Sequence, residues 1–387
     1  MEELKHLHML SEQIGARGST KSNEELAAHY IKEKMETAGL KVDLQKFTSV
    51  KSFSFTFGAV YLTFFLAFLI YLTSPFLAFL ICITGLIIFK REINTKETIS
   101  KLMPRGNSQN VIGKAAAKKY PVKKVIFVAH YDSSKSAISF HPEMVKSFRF
   151  SFLLTYFSML TVTLFFGTSI FLGTLNINFF RLFWCLSIPF ALVLFLSFLI
   201  LLHREIFGEY TPGANDNASG VSVLLELAKD VAASPLDFVE TWFLATGCEE
   251  AGTVGMIRFL DNNKLDKENT YFINMDNIGA GDLKYITEEG ILKKYTSDEK
   301  LIKTAFLSVQ EKPELKVNGK PYSLLTTDAV AAMARGYKAM TIMAVDKNGL
   351  LPNWHWHTDT VEHVEKDNLT TARTLVKRIL LKIDESV

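Results

Sequence analysis

Acidic and imidazole side chains gather in five short segments of the chain. In chain order these are 130–132 (HYD), 212–220 (PGANDNASG), 246–252 (TGCEEAG), 276–277 (DN) and 354–360 (WHWHTDT). A ligand set of histidine, aspartate and glutamate is typical of sites for zinc or a related divalent ion. Five ligands with one shared carboxylate would hold two metal ions a few ångströms apart, an arrangement that favours hydrolysis.

Three of the five segments follow a predicted strand. Continuous apolar runs predict strands buried on both faces at 125–129, 238–245, 271–275 and 339–345. Periodic segments predict helices at 3–15, 22–39, 219–232 and 253–262. Strands that alternate with helices predict an α/β fold with a mostly parallel central sheet and helices on both faces. In such sheets functional groups collect at the carboxyl ends of the strands.

The composition describes two populations of residues. The 43 basic and 40 acidic side chains give a net charge of +3, which is too balanced for a nucleic-acid-binding surface. With 48% hydrophobic residues the chain has too much apolar material to be disordered, and three cysteines cannot form a disulfide framework. Of the 31 phenylalanines, 21 fall in two blocks, residues 52–89 and 150–202, whose only charged residue is Arg181.

These two apolar blocks predict two transmembrane helical hairpins, at 52–89 and 149–203. Ser74-Pro75 interrupts the first block and residues 176–178 interrupt the second. Because a spanning helix needs about 20 apolar residues, each block is long enough for two helices, the second helix of the first hairpin being marginal. Buried hairpins of a soluble core are the alternative, but soluble cores interleave polar faces. We therefore expect a multi-pass protein with about four helices in the lipid bilayer.

The remaining segments, 1–51, 90–148 and 204–387, are predicted to form one hydrophilic domain. Each hairpin returns the chain to the side of the membrane that it left. Basic residues border the helices on that side, namely Lys51, Lys90, Arg91, Lys146, Arg149 and Arg204. The opposite turns carry only Arg181. This excess of positive charge predicts that the hydrophilic domain is cytoplasmic.

The order of the five segments resembles the co-catalytic dinuclear zinc aminopeptidases of clan MH, of the bacterial leucyl aminopeptidase type. The matching pattern is His-x-Asp, Gly-x-Asn-Asp-Asn-x-Ser-Gly, Glu-Glu, Asp and His. The resemblance covers nearly all of the hydrophilic sequence, from Arg17-Gly18-Ser19 to Asp359-Thr360. The transmembrane hairpins are a departure, since the soluble members of the family lack them.

The resemblance implies a role for each matching residue. His130 and Asp276 are expected to bind one Zn2+ ion, Glu250 and a C-terminal histidine the other, and Asp216 to bridge the two. Glu249 is expected to be the general base that takes a proton from the zinc-activated water. Asp132 is expected to accept a hydrogen bond from the free nitrogen of His130 and so to fix its tautomer.

Two histidines compete for the C-terminal ligand position. The family pattern places the histidine four residues before Asp-Thr, which selects His355, while His357 is two residues from Asp359 and is expected to line the pocket. Residues 326–329 (TTDA) resemble a family segment that helps form the substrate pocket. Tyr322 is a candidate for stabilising the developing oxyanion.

The resemblance implies a membrane-anchored metallo-aminopeptidase that hydrolyses N-terminal residues from peptides with a free N-terminus. A carboxypeptidase or a glutaminyl cyclase-like acyltransferase on the same fold is an alternative, and the cyclase type works with one metal. A catalytically inactive membrane binding module is a third possibility, which the presence of all five ligands and Glu249 argues against. A transporter is disfavoured, because the apolar helices carry no intramembrane acid or base other than Arg181, in a predicted turn.

Overall fold

The computed structural model describes residues 2–387 and divides them into two compact units. One unit comprises the chain up to Lys51 together with Arg105–Ser136 and Glu209–Val387, and the other comprises Ser52–Pro104 and Ala137–Gly208. The eleven α-helices of the described residues are α1 (Glu2–His8), α2 (Ser22–Thr37), α3 (Phe53–Ile70), α4 (Pro75–Ile93), α5 (Phe148–Gly173), α6 (Asn178–Phe207), α7 (Ser219–Ala233), α8 (Val254–Asn262), α9 (Glu299–Gln310), α10 (Asp328–Met333) and α11 (Lys366–Glu385).

The first unit is built on one nine-stranded sheet. Its strands are β1 (Lys41–Val50), β2 (Arg105–Ala115), β3 (Lys123–His130), β4 (Val239–Thr246), β5 (Thr270–Met275), β6 (Asp282–Glu289), β7 (Tyr295–Thr296), β8 (Asn318–Tyr322) and β9 (Lys338–Val345). The spatial order is β1-β2-β4-β3-β5-β9-β6-β7, with β8 beside β6. The four central strands, β4, β3, β5 and β9, are parallel, whereas β1, β2 and β7 pair antiparallel with their neighbours and β6 joins β9 antiparallel.

Helices cover both faces of this sheet, as the sequence predicts. Phe127 of β3 packs into a core with α1, α2, α7, α9 and α11, while its neighbours Ile126 and Val128 pack into a second core with α8 and α10. A strand that is buried on both faces reads as a continuous apolar run, which is why β3 was predictable. The mixed α/β class is confirmed: the four central strands are parallel to one another, and β8 also pairs parallel with β6.

The second unit contains α3 to α6, in which α3 and α5 each pack against both α4 and α6. Pro75 is the first residue of α4, where its missing N–H and fixed φ are compatible with a helix start. Three of the helices are long and apolar enough to cross a membrane: α3, a helical segment at Val145–Gly173 that contains α5, and α6. The fourth, α4, is not among them, so composition alone does not support the predicted count of four spans. Its last turn carries Lys90 and Arg91, which shorten its apolar stretch.

Residues 90–104, 137–148 and 204–208, which the sequence analysis placed in the hydrophilic domain, group with the apolar helices. Local hydrogen bonds account for the first of these segments. Glu92 of α4 accepts hydrogen bonds from the backbone amides of Thr98 and Ser100, at 2.6 and 3.0 Å. The polar segment after α4 is thereby folded back onto the helix that precedes it.

Candidate metal centre

The seven predicted site residues lie at the carboxyl ends of the central strands. His130 is the last residue of β3, Glu249 and Glu250 follow β4, and Asp276 follows β5. Asp216 lies in the segment Ala214–Ala218 that leads into α7, and its own backbone angles, φ −112° and ψ 86°, are not helical. His355 lies in the loop after β9. The parallel centre of the sheet therefore brings together segments that are far apart in the sequence.

Asp216 lies between two histidines. Its Oδ1 is 3.1 Å from Nε2 of His130, and its Oδ2 is 3.1 Å from Nε2 of His355. On the His130 side, Oδ1 of Asp276 lies 3.6 Å from the same Nε2 atom. On the His355 side, Oε1 of Glu250 lies 3.1 Å from Nε2. Two groups of three donor atoms result, and they share Asp216 as their common member.

Burial and charge make this donor set suitable for cations. Asp216, Glu250, Asp276 and His355 are 3%, 8%, 3% and 7% exposed. With Asp132 and Glu249 the cluster holds five carboxyl groups against two imidazoles, an excess of negative charge that is costly to bury without compensation. Two divalent cations would offset most of that charge, and carboxylate with imidazole is a donor set that zinc accepts. The residues therefore fit the expected metal.

The pKa values of the two histidines respond to the surrounding acids. Burial by itself lowers the pKa of His355, but Glu250 and Asp216 outweigh it and raise that pKa to about 9. Burial likewise opposes protonation of His130, yet Asp132, Asp216 and Asp276 raise its pKa well above the ordinary value. Burial also opposes ionisation of Asp216, but hydrogen bonds with the two histidines lower its pKa. The site thus favours positive charge between its carboxylates.

Glu249 lies beside the predicted ligands and is half-buried. One of its carboxylate oxygens lies within 4.8 Å of donor atoms of His130 and Glu250. Burial raises the pKa of Glu249 well above its ordinary value, the nearby His130 opposes the change, and Asp328 reinforces it. A carboxylate whose pKa is raised is a stronger base, which is the property that proton abstraction requires.

Asp132 contacts the site differently from the prediction. Nδ1 of His130 lies 3.1 Å from the backbone oxygen of Asp132 and 3.6 Å from its carboxylate. The carboxylate instead accepts hydrogen bonds from the backbone amides of Glu249 and Glu250, at 3.0 and 3.2 Å, and from Ser19 Oγ at 2.6 Å. Asp132 therefore orients His130 through its main chain and the Glu249-Glu250 turn through its side chain.

The structure separates the two C-terminal histidines. His355 is buried with Nε2 among the acids, whereas His357 is exposed.

Tyr322, the candidate for oxyanion stabilisation, is 3% exposed, and its hydroxyl has no hydrogen-bond partner among the described residues. Asp328, from the segment that resembles a pocket wall, accepts a hydrogen bond from Thr246 Oγ1 at 2.5 Å, at the end of β4.

Sequence reasoning assigned no role to two residues that hold the Asp216 loop. Asp359 accepts hydrogen bonds from the backbone amides of Asn215 and Asp216, at 2.6 and 3.1 Å. Arg17 is fully buried and donates to the backbone oxygens of Pro212 and Gly213, both at 2.8 Å. Both residues occur in motifs that carried the resemblance, so their presence was visible although their contacts were not.

Comparisons with known proteins agree with this architecture. Residues 202–380 match the family described as Peptidase family M28. Aminopeptidase YwaD of Bacillus subtilis (strain 168) is 28% identical over 174 residues, which are 43% of this chain and 37% of that relative. The chain thus matches little more than a third of the relative's length.

Two solved structures have a similar fold over almost the whole chain. A zinc aminopeptidase from Bacillus subtilis, BSAP, has a TM-score of 0.58 at 16% identity and covers 99% of this chain and 94% of its own. A glutaminyl cyclase from Bacteroides thetaiotaomicron, bound to N-acetylhistamine, has a TM-score of 0.58 at 14% identity. The match covers 98% of this chain and 96% of the cyclase chain. At these identities the likeness concerns the fold. The match of residues 202–380 and the order of the site segments make the chain similar to peptidase family M28.

Proposed function

We propose that the protein is a membrane-anchored dinuclear zinc aminopeptidase that removes N-terminal residues from peptides. The observation that carries the proposal is the position of Asp216, whose two oxygens each lie 3.1 Å from a different histidine. A second carboxylate stands on each side, Asp276 beside His130 and Glu250 beside His355. This symmetry supports a pair of metal positions with Asp216 as the shared ligand.

In the proposed reaction, His130, Asp216 and Asp276 hold one Zn2+ and Asp216, Glu250 and His355 hold the other. The bound zinc ions supply Lewis acidity toward a water molecule and the scissile carbonyl. The carboxylate of Glu249 accepts the proton that the attacking water releases and then passes it to the leaving amine. Its half-buried position beside the donor atoms of His130 and Glu250 suits a group that must both accept and return a proton.

Asp132 supports this step by holding the backbone of the base. It binds the amides of Glu249 and Glu250 with its two carboxylate oxygens. Tyr322 is proposed to donate its unpartnered hydroxyl to the oxygen on which negative charge develops. Burial, reinforced by Asp276 and Asp216, raises the pKa of Tyr322 well above 10, so the hydroxyl stays protonated and can donate.

The membrane part of the proposal rests on the exposed apolar surface of the second unit. In the most apolar stretch of α6 only 17% of the residues are buried, and large side chains such as Phe171, Leu196 and Phe207 are 74%, 57% and 67% exposed. Continuous apolar surface of this kind favours contact with lipid. We propose that the helices anchor the protein, and that the hydrophilic domain faces the cytoplasm because basic residues border them on that side.

Pairing within the sheet supports an even number of crossings in each apolar block. β1 and β2 are hydrogen-bonded along ten residue pairs, although α3 and α4 lie between them in the sequence. β3 and β4 are likewise paired, although α5 and α6 intervene. Paired strands lie on one side of a membrane, so α3 and α4 either both cross or both do not. We therefore propose four crossings, including the less apolar α4.

A glutaminyl cyclase-like reaction is the second candidate, because the fold is shared with a cyclase. The two enzymes require different numbers of metal ions, since the cyclase type works with one. The two-sided environment of Asp216 favours the dinuclear peptidase. Zinc content of the purified protein separates the candidates: about two ions per chain support the peptidase, and one ion with turnover of N-terminal glutaminyl peptides supports the cyclase.

The direct test uses the full chain purified in detergent with a panel of fluorogenic aminoacyl substrates. We expect hydrolysis of substrates with a free amine, no hydrolysis of their N-acetylated forms, loss of activity with a chelator, and recovery with zinc. Glu249→Gln should lower kcat by about 10²–10⁴-fold while zinc remains bound, because the variant lacks the general base. Hydrolysis that persists in Glu249→Gln, or that prefers acetylated substrates, would contradict the proposal.

A further inference from the structure

The turn after β4 is held by an unusual set of hydrogen bonds. Four consecutive backbone amides, those of residues 247–250, each donate to a buried side chain. The acceptors are Asn110 Oδ1 for Gly247 at 3.2 Å, Glu24 Oε1 for Cys248 at 2.9 Å, Asp132 Oδ1 for Glu249 at 3.0 Å and Asp132 Oδ2 for Glu250 at 3.2 Å. Side chains from α2, β2 and the end of β3 thus fix one turn, and that turn carries the proposed base and a proposed zinc ligand.

Glu24 is the most distant of these acceptors in the sequence. It lies in the first turn of α2, 224 positions before Cys248, and it is 1% exposed. Its Oε1 also accepts hydrogen bonds from Ser108 Oγ at 2.9 Å and from Cys248 Sγ at 3.3 Å. Its Oε2 accepts one from the amide of Thr20 at 2.7 Å. All of these donors are neutral groups, and within residues 2–387 Glu24 forms no ion pair.

A buried carboxyl group without a cationic partner destabilises the fold unless its hydrogen bonds compensate. Burial, reinforced by the nearby Asp132, raises the pKa of Glu24 to about 8. An apolar side chain would avoid burying the carboxyl group but would leave its buried donors without an acceptor. Of the contacts that an apolar side chain could not replace, the one with the amide of Cys248 reaches the turn that carries Glu249 and Glu250.

The turn has little space in which to move. A Cβ atom at Gly247 would lie 2.6 Å from Ser108 Oγ and 2.7 Å from the backbone oxygen of Gln109, and one at Gly255 would lie 2.2 Å from the backbone oxygen of Gly247. Cys248 has a φ of 53°, which a non-glycine residue adopts only when its surroundings hold it there. The backbone conformation before Glu249 is therefore imposed by its neighbours.

We propose that Glu24 is a positioning residue for the metal centre, acting through the amide of Cys248 to place Glu249 and Glu250. The proposal rests on the proposed function in that Glu249 is the base and Glu250 a zinc ligand. Without Glu24 the turn keeps the Asn110 contact at Gly247 and the two Asp132 contacts but loses the acceptor for the amide of Cys248. A displacement of about 1 Å in a reacting group lowers the rate by about 100-fold.

The test compares Glu24→Leu with Glu226→Leu in the full-length protein. Glu226 is a matched control because it is also a buried glutamate, 5% exposed, but it contacts His6 and Arg373 rather than the turn. In Glu24→Leu we expect one of two zinc ions to bind at least about tenfold more weakly, because Glu250 shares the turn. We also expect faster hydrogen exchange at the amides of 247–250. At saturating zinc, kcat should fall at least about tenfold with KM nearly unchanged.

Glu226→Leu should lower thermal stability and leave zinc affinity, exchange at 247–250 and kcat per folded molecule as in the wild type. If Glu24→Leu behaves in the same way, the positioning role is wrong. Should Glu24→Leu not fold, Glu24→Asp decides, because it keeps the carboxyl group but withdraws it by one methylene and should change the same readouts in the same direction. A wild-type protein without peptidase activity would overturn the proposed function, while zinc binding and exchange would still test Glu24.

Discussion

Asp359 binds the backbone of Asp216. Its Oδ2 accepts the Asp216 amide at 3.1 Å, and its Oδ1 accepts the amide of the preceding Asn215 at 2.6 Å. The residue is 1% exposed, and burial together with the charge of Asp216 raises its pKa to about 7. One buried carboxylate thus holds the loop that carries the proposed bridging ligand, as Asp132 holds the turn of Glu249 and Glu250.

Replacing this carboxylate should weaken metal binding. Asp359→Asn keeps the size of the side chain but leaves only one oxygen for two amide donors, so the Asp216 loop loses one of its anchors. We expect zinc affinity to fall by about 10–100-fold, the range typical of residues that orient metal ligands. Titration with a chromophoric chelator measures the change. Asp367→Asn, in the first turn of α11, is the matched exposed control and should leave the affinity unchanged.

The two C-terminal histidines give a second prediction. His355→Ala removes a buried imidazole whose Nε2 lies 3.1 Å from both Asp216 and Glu250, so it should abolish binding of one of the two zinc ions. His357→Ala, only two positions away, removes an exposed side chain and should retain both ions. Metal analysis by mass spectrometry after dialysis against zinc-free buffer distinguishes the variants. Loss of one ion in His357→Ala alone would reverse the assignment.

Glu289 gives a prediction about stability and pH. It is 0% exposed and accepts hydrogen bonds from Thr341 Oγ1 at 2.8 Å and Thr327 Oγ1 at 2.9 Å. Burial raises its pKa to about 7 from the ordinary 4.5. The folded protein therefore holds this proton more tightly than the unfolded chain does, so stability falls as the pH rises from about 4.5 to 7 and stays lower above that range.

Glu289→Gln should remove this contribution, because an amide does not titrate and the two threonine hydroxyls can donate or accept. A shift of this size corresponds to about 3 kcal/mol of unfolding free energy. We expect the variant to lose less stability than the wild type between pH 5 and pH 8. Denaturant unfolding of the zinc-loaded proteins at both pH values measures the difference. Equal losses in the two proteins would show that Glu289 does not titrate in this range.

Some strands could be predicted from the sequence because local patterns of apolar residues indicate them. β3, β4 and β5 are apolar runs buried on both faces, and the chemistry-bearing residues follow them directly. β2 was not predicted, because its buried positions include Ser108, Gln109 and Asn110. Their burial depends on partners far away in the sequence, such as Glu24 for Ser108 and Gly255 for Asn110. Long-range hydrogen bonding of this kind leaves no periodic signal.

The candidate site shows the same limit. Residue types and order were enough to predict His130, Asp216, Glu249 and Glu250 as members of one cluster. The distances from Asp216 to the two histidines, and the contacts of Asp132 with backbone amides, arise from how the loops pack. The residue types in a sequence indicate which side chains can take part in chemistry. The buried acceptors that hold those side chains cannot be distinguished, from sequence alone, from ordinary polar residues.

The last prediction is that α4 crosses the membrane. If α3, α5 and α6 crossed the membrane and α4 did not, the chain would place β1 and β2 on opposite sides, yet these strands pair from Lys41–Lys114 to Val50–Arg105. We therefore expect the turn between α3 and α4 and the turn between α5 and α6 to lie on the same, non-cytoplasmic side.

Introduced cysteines test this topology in cells. With Cys185 replaced by serine, Thr73→Cys and Asn176→Cys place a thiol in exposed positions of the two turns, and Lys96→Cys places one after α4. An impermeant maleimide should label Thr73→Cys and Asn176→Cys in intact cells and Lys96→Cys only after lysis. Labelling of Lys96→Cys but not Asn176→Cys in intact cells would mean that α4 does not cross, which the pairing of β1 with β2 does not allow.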